Sequence, residues 1–524
     1  MTRNDEPDRL FQQRSARLNV LTSFEDQIHK ISSEYNALES KLHKARHSKY
    51  HNVNFAYLNH LNNHILMMSD VVQFGESSKL KRGEEILSKQ IQIIKSPRPQ
   101  DEKMDALLEL KRILTSYQGY DLRISKLGIL DALMEELSDV NKENHVISLC
   151  LEILSMLTTF ADFENCKKRA ELVSHVISRL GKNKTINTIE FLTQILANCS
   201  NIPGKHDPII GILDTLVQNL QLSKSVMLFQ HSIRCIVNLY VNNQDRDELK
   251  KINILDLVTS SLESQLKSVK EQALWCFAYL SFNARDCFKS RPDLITTLCK
   301  ITIHNNASKP AHSMTWICLA NLVLIEEYSS KIIEFVSNAA MEFLTSEVES
   351  IIMGIKSPLL YGVISYIANM LYTDSLNIKS VPVIPLIANI VKIMDYGDFE
   401  IKAQAARILA RLSANKDLHR RIEASQAFNA VLDVLCMGYK NIYLLEVIDH
   451  FASNPNFYQK LNHPIILYTL AKLSAPGTND SQIQLVAHNI LERLQQYGDV
   501  QLNSCIEEMM TSPTSFSKNI ARNH

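Results

Sequence analysis

Apolar residues along most of this chain recur three or four positions apart, and polar or Gly/Pro-containing breaks interrupt them. This spacing places apolar side chains on one face of an α-helix, so the pattern predicts a succession of amphipathic helices. The chain has 13 Gly and 14 Pro in 524 residues, which favours helix over strand because both residues interrupt helices. A chain of this length rarely forms one compact core, so we expect several domains or a repeat array.

Short phrases recur along the chain and indicate an internal repeat. Ile-Leu-Asp follows Gly128, Gly211 and Asn253, at intervals of 83 and 42 positions. A period near 42 is typical of armadillo and HEAT arrays and differs from the roughly 33- and 34-residue ankyrin and tetratricopeptide units. One position near the end of each long apolar helix keeps a similar spacing, and we call its occupants the marker residues: Thr115, Thr158, Asn198, Asn238, Tyr279, Asn321, Asn369 and Arg411.

One such unit cannot cover its own apolar faces, whereas stacked neighbours can, so the repeat predicts an all-α solenoid. Three cysteines each lie three positions before a marker residue, which indicates a small, buried apolar slot: Cys235, Cys276 and Cys318. The Gly or Asn before Ile-Leu-Asp suits a sharp turn between a short first helix and a longer second helix.

The helix EQALWCFAYLS, from Glu271 to Ser281, resembles the fifth armadillo repeat of the importin-α family of nuclear import adaptors. The segments IIKSP at 93–97 and LELKRILT at 108–115 resemble the start of the importin-α array. The resemblance covers roughly residues 85 to 500. It implies a right-handed armadillo-repeat superhelical solenoid with additional N-terminal helices, in which residues 85–510 form about ten repeats.

The resemblance also implies a function. In that family the third helices line a concave groove that binds extended cargo peptides, the nuclear localisation signals, for protein import from cytoplasm to nucleus. Marker Asn side chains bond the peptide backbone, and Trp residues one helical turn earlier hold the stems of Lys and Arg. Carried over residue by residue, this implies a cargo peptide-binding site at Asn198, Asn238, Trp275, Tyr279, Asn321 and Asn369.

The chain departs from the family at the tryptophan slot, four positions before each marker residue. Only Trp275 is retained there, and the other occupants are Leu154, Gln194, Arg234, Ile317, Ser365 and Arg407. Arginine in this slot disfavours a basic peptide because like charges repel. Trp316 precedes its marker residue by five positions and is predicted to lie in the core.

The marker asparagines have a second interpretation, which is a structural ladder of hydrogen bonds between neighbouring repeats. Asn is disfavoured inside an apolar helix, so its recurrence in one slot needs a shared reason. The alternative function, correspondingly, is an armadillo-repeat interaction scaffold without a transport role.

Residues 1–84 form a separate N-terminal segment, and the polar tail 511–524 is predicted to be disordered. Apolar residues from Leu21 to Ala45 alternate three and four positions apart, which is a heptad pattern. This segment has three interpretations: a helical hairpin that caps the first repeat, a coiled coil for self-association or a partner, or a degenerate importin-β-binding arm. Basic residues such as Arg14 and Lys41 would belong to such an arm.

Charge and motifs favour a protein partner. The 56 basic and 56 acidic residues balance, so bulk charge supports neither nucleic-acid nor membrane binding. The ten cysteines form no C-x-x-C pair, and His43/His47 and His60/His64 lack a third metal ligand at helical spacing. Nucleotide-binding, hydrolase and metalloprotease motifs are absent from the sequence, and no apolar run approaches membrane-spanning length. We therefore expect no enzyme activity, metal or cofactor.

Overall fold

The computed structural model of the chain describes residues 81–497 apart from residues 82, 117–126, 139–143, 161–162, 164–167, 181–184, 203–205, 223–224, 244–245, 304–307, 356, 374–380, 437–438 and 476–479. The N-terminal heptads, the histidine pairs and the polar tail lie outside the described residues. The chain divides into two compact units between Ile202 and Pro203, and each unit is considered by itself.

In the described part of the first unit, all regular secondary structure is helical. Its helices are α1 (residues 83–95), α2 (Gln100–Ser116), α3 (Ile129–Ser138), α4 (Asn144–Leu157), α5 (Arg169–Leu180) and α6 (Ile186–Ser200). Helices α2, α4 and α6 are the last helices of repeats 1 to 3, and they pack in succession, while α3 packs on α4 and α5 on α6.

The second unit, taken by itself, is also built of helices. Its helices are α7 (Asp207–Ile210), α8 (Leu213–Leu222), α9 (Val226–Asn242), α10 (Asp247–Lys250), α11 (Ile254–Thr259), α12 (Lys267–Asn283), α13 (Pro292–Ile303), α14 (Lys309–Leu322), α15 (Glu326–Ile352), α16 (Pro358–Thr373), α17 (Val383–Tyr396), α18 (Phe399–Ser413), α19 (His419–Ala424), α20 (Ala427–Cys436), α21 (Ile442–Ala452), α22 (Tyr458–Leu461), α23 (Pro464–Ser474) and α24 (Ser481–Tyr497). Repeats 4 to 10 end with α9, α12, α14, α16, α18, α21 and α24. Short 3₁₀ helices at Arg285–Ser290, Lys416–Leu418 and Pro455–Phe457 begin repeats 6, 9 and 10.

Helices of the second unit pack in two layers. The last helices of successive repeats, which we call the marker helices, contact one another in order: α9, α12, α14, α16, α18, α21 and α24. The second helices form another continuous series: α13, α15, α17, α20 and α23. Because each helix contacts its counterparts in the neighbouring repeats, the unit is an all-α solenoid of armadillo type, as the sequence predicts.

The residue before Ile-Leu-Asp has a different structural role in each of the three repeats. Gly128 has a φ of 70°, a conformation that favours glycine. Gly211 has a φ of −60°, which any residue adopts. Asn253 caps α11 by accepting a hydrogen bond from the Asp256 backbone N–H.

Repeat 7 explains the longest interval between marker residues, from Asn321 to Asn369. Its α15 has 27 residues, because the first and second helices of this repeat form one continuous helix. The extra residues lie in the second layer and at the end of α15, while α14 and α16 remain in direct contact. No described helix is long and apolar enough to cross a membrane.

The interior confirms two sequence predictions. Trp316 is fully buried, with its ring centroid 5.3 Å from that of Tyr366 and 6.1 Å from that of Phe343. The cysteine slot is also fully buried, at Cys235, Cys276 and Cys318. Burial raises the pKa of the Cys276 thiol to about 12, which keeps it protonated and unreactive at neutral pH.

Candidate functional site

One face of the marker helices in the second unit remains partly accessible, and we call it the marker face. The helices bury most of their other side chains, whereas the marker slot and the tryptophan slot one turn earlier are half-buried in most repeats. The half-buried residues are Arg234, Trp275, Tyr279, Ile317, Asn321, Ser365, Arg407 and Arg411. Asn238 and Asn369 are almost completely buried. In the first unit, Asn198 and Gln194 are half-buried and Leu154 is buried.

Three of the marker asparagines hydrogen-bond to the preceding repeat. The Nδ2 atom of Asn321 donates to Ser281 Oγ at 3.0 Å, and that of Asn369 donates to the Ala320 carbonyl oxygen at 2.5 Å. In the first unit, Asn198 Nδ2 donates to Thr158 Oγ1 at 2.8 Å and to the Ser155 carbonyl oxygen at 3.2 Å. This geometry is the structural ladder that the sequence left as one of two interpretations.

The ladder continues where the marker residue is not asparagine. Arg411 Nε donates to the Leu371 carbonyl oxygen at 2.9 Å. His450, on α21, hydrogen-bonds through Nδ1 to Ser413 Oγ at 2.9 Å, which places it in the marker slot of repeat 9. Burial lowers the pKa of His450, which favours the neutral ring. The slot therefore joins neighbouring repeats through any side chain that carries a suitably placed polar nitrogen.

A serine two positions after the marker residue supports this ladder. Ser281 and Ser413 donate their hydroxyl hydrogens to the carbonyl oxygens three residues earlier, at 2.7 and 3.0 Å. Each Oγ is thereby oriented toward the next repeat, where Asn321 or His450 contacts it. This contact gives a structural reason for the serine that ends the segment Glu271–Ser281.

Trp275 and Tyr279 form a stacked pair on the marker face. Their ring centroids are 5.3 Å apart and their planes differ by 9°, as expected for residues one turn apart on a helix. One face of the Trp275 ring is therefore covered by its own helix. Burial raises the pKa of Tyr279, so its phenol stays protonated. Phe282, one turn further along, is 71% exposed and extends this aromatic surface.

The corresponding slots of α18 hold two arginines, which contact tyrosines from the neighbouring helices. The guanidinium carbon of Arg407 lies 5.5 Å from the Tyr372 ring centroid and 5.8 Å from that of Tyr443. The guanidinium carbon of Arg411 lies 5.8 Å from the Tyr372 centroid. Tyr372 is itself 61% exposed. We call these four residues the arginine–tyrosine cluster. The repeat register alone identifies Arg407 and Arg411, but it misses both tyrosines because they come from adjacent repeats.

Across the described ranges, no group of three or more His, Cys, Asp or Glu side chains is arranged to hold a metal ion.

The helix order and the two-layer packing define the second unit as an array of armadillo-type repeats. Comparison with known proteins adds two similar solved structures. An engineered protein is 16% identical with a TM-score of 0.48, covering 79% of this chain and 100% of its own. A designed armadillo repeat protein in complex with peptide (KR)4 is 18% identical with a TM-score of 0.36, covering 45% of this chain and 99% of its own.

These similarities are weak, so the repeat class rests on the helix packing of this chain. The chain matches no protein-family model and no curated protein sequence.

Proposed function

We propose that this protein is a non-enzymatic adaptor that holds an extended segment of a partner protein against the marker face of its second unit. The observation that carries the proposal is the accessible aromatic surface of α12, formed by Trp275, Tyr279 and Phe282. Half-buried and exposed aromatic side chains on a rigid helix provide binding energy because little entropy is lost when they are covered.

The marker asparagines support this role only where their amides retain bonding capacity. An Asn side chain has two N–H donors and one carbonyl acceptor. Asn321 uses one donor for Ser281, and its side chain is half-buried, so its second N–H and its carbonyl oxygen are the groups that would bond a peptide backbone. Asn198 uses its Nδ2 for two bonds inside the protein. We therefore expect Asn321 to contribute more to peptide binding than Asn198.

The test is a peptide-binding measurement on the full chain. Peptides selected from a random-sequence display library would be labelled with fluorescein, and their affinities measured by anisotropy. The double substitution Trp275→Ala with Tyr279→Ala is expected to weaken binding by at least about tenfold, since aromatic anchors dominate such interfaces. Phe335→Ala is the matched control, because Phe335 is a 41% exposed aromatic residue on α15 in the other layer. Equal affinity in all three proteins would contradict the proposal.

A more specific form of the proposal is an importin-α-like adaptor that carries proteins from the cytoplasm into the nucleus. The resemblance of the fifth repeat, with Trp275, Tyr279 and the following Leu-Ser, favours this form. Its cargo would bear extended or basic signals, and its N-terminal segment would bind importin-β. A pull-down with importin-β and with a Lys/Arg-rich signal peptide tests it, and binding to neither would contradict the transport role.

The scaffold without a transport role is supported by a different observation. Trp275 alone preserves the tryptophan slot, and Arg234 and Arg407 place positive charge in two of the remaining positions. A result in which selected peptides bind but both import probes fail would favour the scaffold.

A further inference from the structure

We propose that the arginine–tyrosine cluster is a subsite for an acidic segment of the partner protein, with Arg407 and Arg411 binding its carboxylates. This inference rests on the proposed adaptor function and names the chemistry of the segment that reaches repeats 7 to 9. The cluster lies on α16, α18 and α21, where the marker face carries two cationic side chains beside two aromatic rings.

The two arginines have no carboxylate counter-ion among the residues that the structure describes. Within the part of the chain that the structure describes, neither Arg407 nor Arg411 forms an ion pair with a carboxylate. The Nη1 atom of Arg407 reaches only the neutral Gln404 side chain, at 3.4 Å. Its Nε atom is buried and has no hydrogen-bond partner among the described residues. Half-buried guanidinium groups are ordinarily paired, so this pair calls for an external anion.

Two acidic residues of the adjacent helix α21 do not supply that anion. Glu446 occupies the tryptophan slot of α21, where burial and the charge of Asp449 raise its pKa. Asp449 pairs with Arg493, with 3.3 Å between Oδ1 and Nε. Neither residue forms an ion pair with Arg407 or Arg411 among the described residues, so both arginines stay available.

The tyrosine contacts hold the two arginines in place without removing their charge. Both guanidinium groups lie within 6 Å of a tyrosine ring centroid, which restrains them without neutralising them. The N–H groups at the edge of a guanidinium match the two oxygens of a carboxylate. Two like charges near one ring also repel each other, and a carboxylate between them would relieve that repulsion. A basic segment would instead add to it.

The experiment compares two short labelled peptides on the full chain, one of alternating Asp and Glu and one of alternating Lys and Arg. Anisotropy is measured for the unmodified protein, for Arg407→Gln with Arg411→Gln, and for the matched control Arg420→Gln with Arg421→Gln. The control removes the same charge from two exposed arginines on α19. We expect the acidic peptide to bind more tightly than the basic one. The cluster variant should weaken acidic binding by at least about tenfold, and the control by less than about twofold.

Several results would overturn the inference. They are equal loss in the cluster variant and the control, tighter binding of the basic peptide, or no binding of the acidic peptide. Stronger binding of a single-stranded oligonucleotide, lost in the cluster variant, would assign the cluster to nucleic acid instead.

If the double variant fails to fold, Tyr372→Ala replaces it, because Tyr372 is exposed and contacts both guanidinium groups. This variant should weaken acidic binding by at least about threefold, and unchanged binding would overturn the inference. Loss of selected peptides on substitution of Trp275 and Tyr279, without any effect of the cluster variants, would retain the proposed function and reject only this subsite.

Discussion

Repeats 5 and 8 place different chemistry in the same two slots of the same kind of helix. In α12 the slots hold Trp275 and Tyr279, which stack on each other. In α18 they hold Arg407 and Arg411, which contact tyrosines of the two neighbouring helices. The two aromatic rings stack on each other within one helix, whereas the two arginines contact rings that belong to the neighbouring helices. The repeat geometry therefore decides which positions are accessible, and the side chains decide what each part of the face can bind.

The distance between these two regions depends on the close contact of α14 with α16, which Gly362 permits. A Cβ atom at this position would lie 2.8 Å from Trp316 Cβ and 3.0 Å from the Ser313 carbonyl oxygen. We expect Gly362→Val to lower the free energy of unfolding by about 3 kcal/mol, because neither neighbour can move freely. Urea denaturation measures this, with Ser346→Val on exposed helix surface as the control. Equal stability of the two variants would show that the helices separate without cost.

Alanine substitution at the equivalent slots of the two repeats tests the comparison directly. Trp275→Ala should lower the free energy of unfolding by about 2.5 kcal/mol, since it removes a half-buried ring and its stacking with Tyr279. Arg407→Ala should cost only about 0.5 kcal/mol, because partly exposed cation–π contacts are weak. Thermal and urea denaturation of both variants provide the measurement. A larger loss for Arg407→Ala would mean that the arginine–tyrosine cluster is a structural element.

The other arginine of the tryptophan slot, Arg234, lies close enough to a buried histidine, His231, to lower its pKa. Burial first, and then the charge of Arg234, lower the pKa of His231 from 6.5 to about 4. His231 binds a proton more readily in the unfolded chain than in the folded one. Its contribution to the free energy of unfolding is therefore fully present above pH 6.5 and falls as the pH drops toward 4. The loss should be on the order of 2 kcal/mol. His231→Gln should remove this part of the pH dependence, and an identical pH profile in the variant would refute the assignment.

We expect the smallest changes in the free energy of unfolding from the hydrogen bonds that the marker asparagines form between neighbouring repeats. Asn369 is buried and Asn321 is half-buried, so Asn369→Ala should cost about 1.5 kcal/mol and Asn321→Ala about 0.5 kcal/mol. For peptide affinity the order should reverse, because Asn321 is the more accessible. Denaturation and peptide titration of the same two proteins provide both values. If Asn369→Ala changed neither quantity, the ladder bond would have no energetic role.

The sequence predicted the helical repeat, its register, the core position of Trp316 and the buried cysteine slot. These features follow from apolar spacing along one chain segment, which a single sequence displays directly. The marker slot of His450 was missed because the residue type changes there, although the contact to the preceding serine remains. The arginine–tyrosine cluster was missed because it joins three helices from three repeats, and no local pattern records such a contact. The peptide-binding role of the marker asparagines stays a prediction.

The long helix α15 shows where this architecture tolerates changes in length. It ends near Gly354, whose surroundings are open, since a Cβ atom at this position would meet no atom within 4 Å. The neighbouring marker helices keep their hydrogen bond from Asn369 to Ala320 despite the longer interval. The layer of marker helices thus keeps its contacts, while the layer of second helices accommodates the extra residues. For protein engineering, the end of α15 is therefore a suitable place to insert a tag or a second domain without changing the register of the marker face.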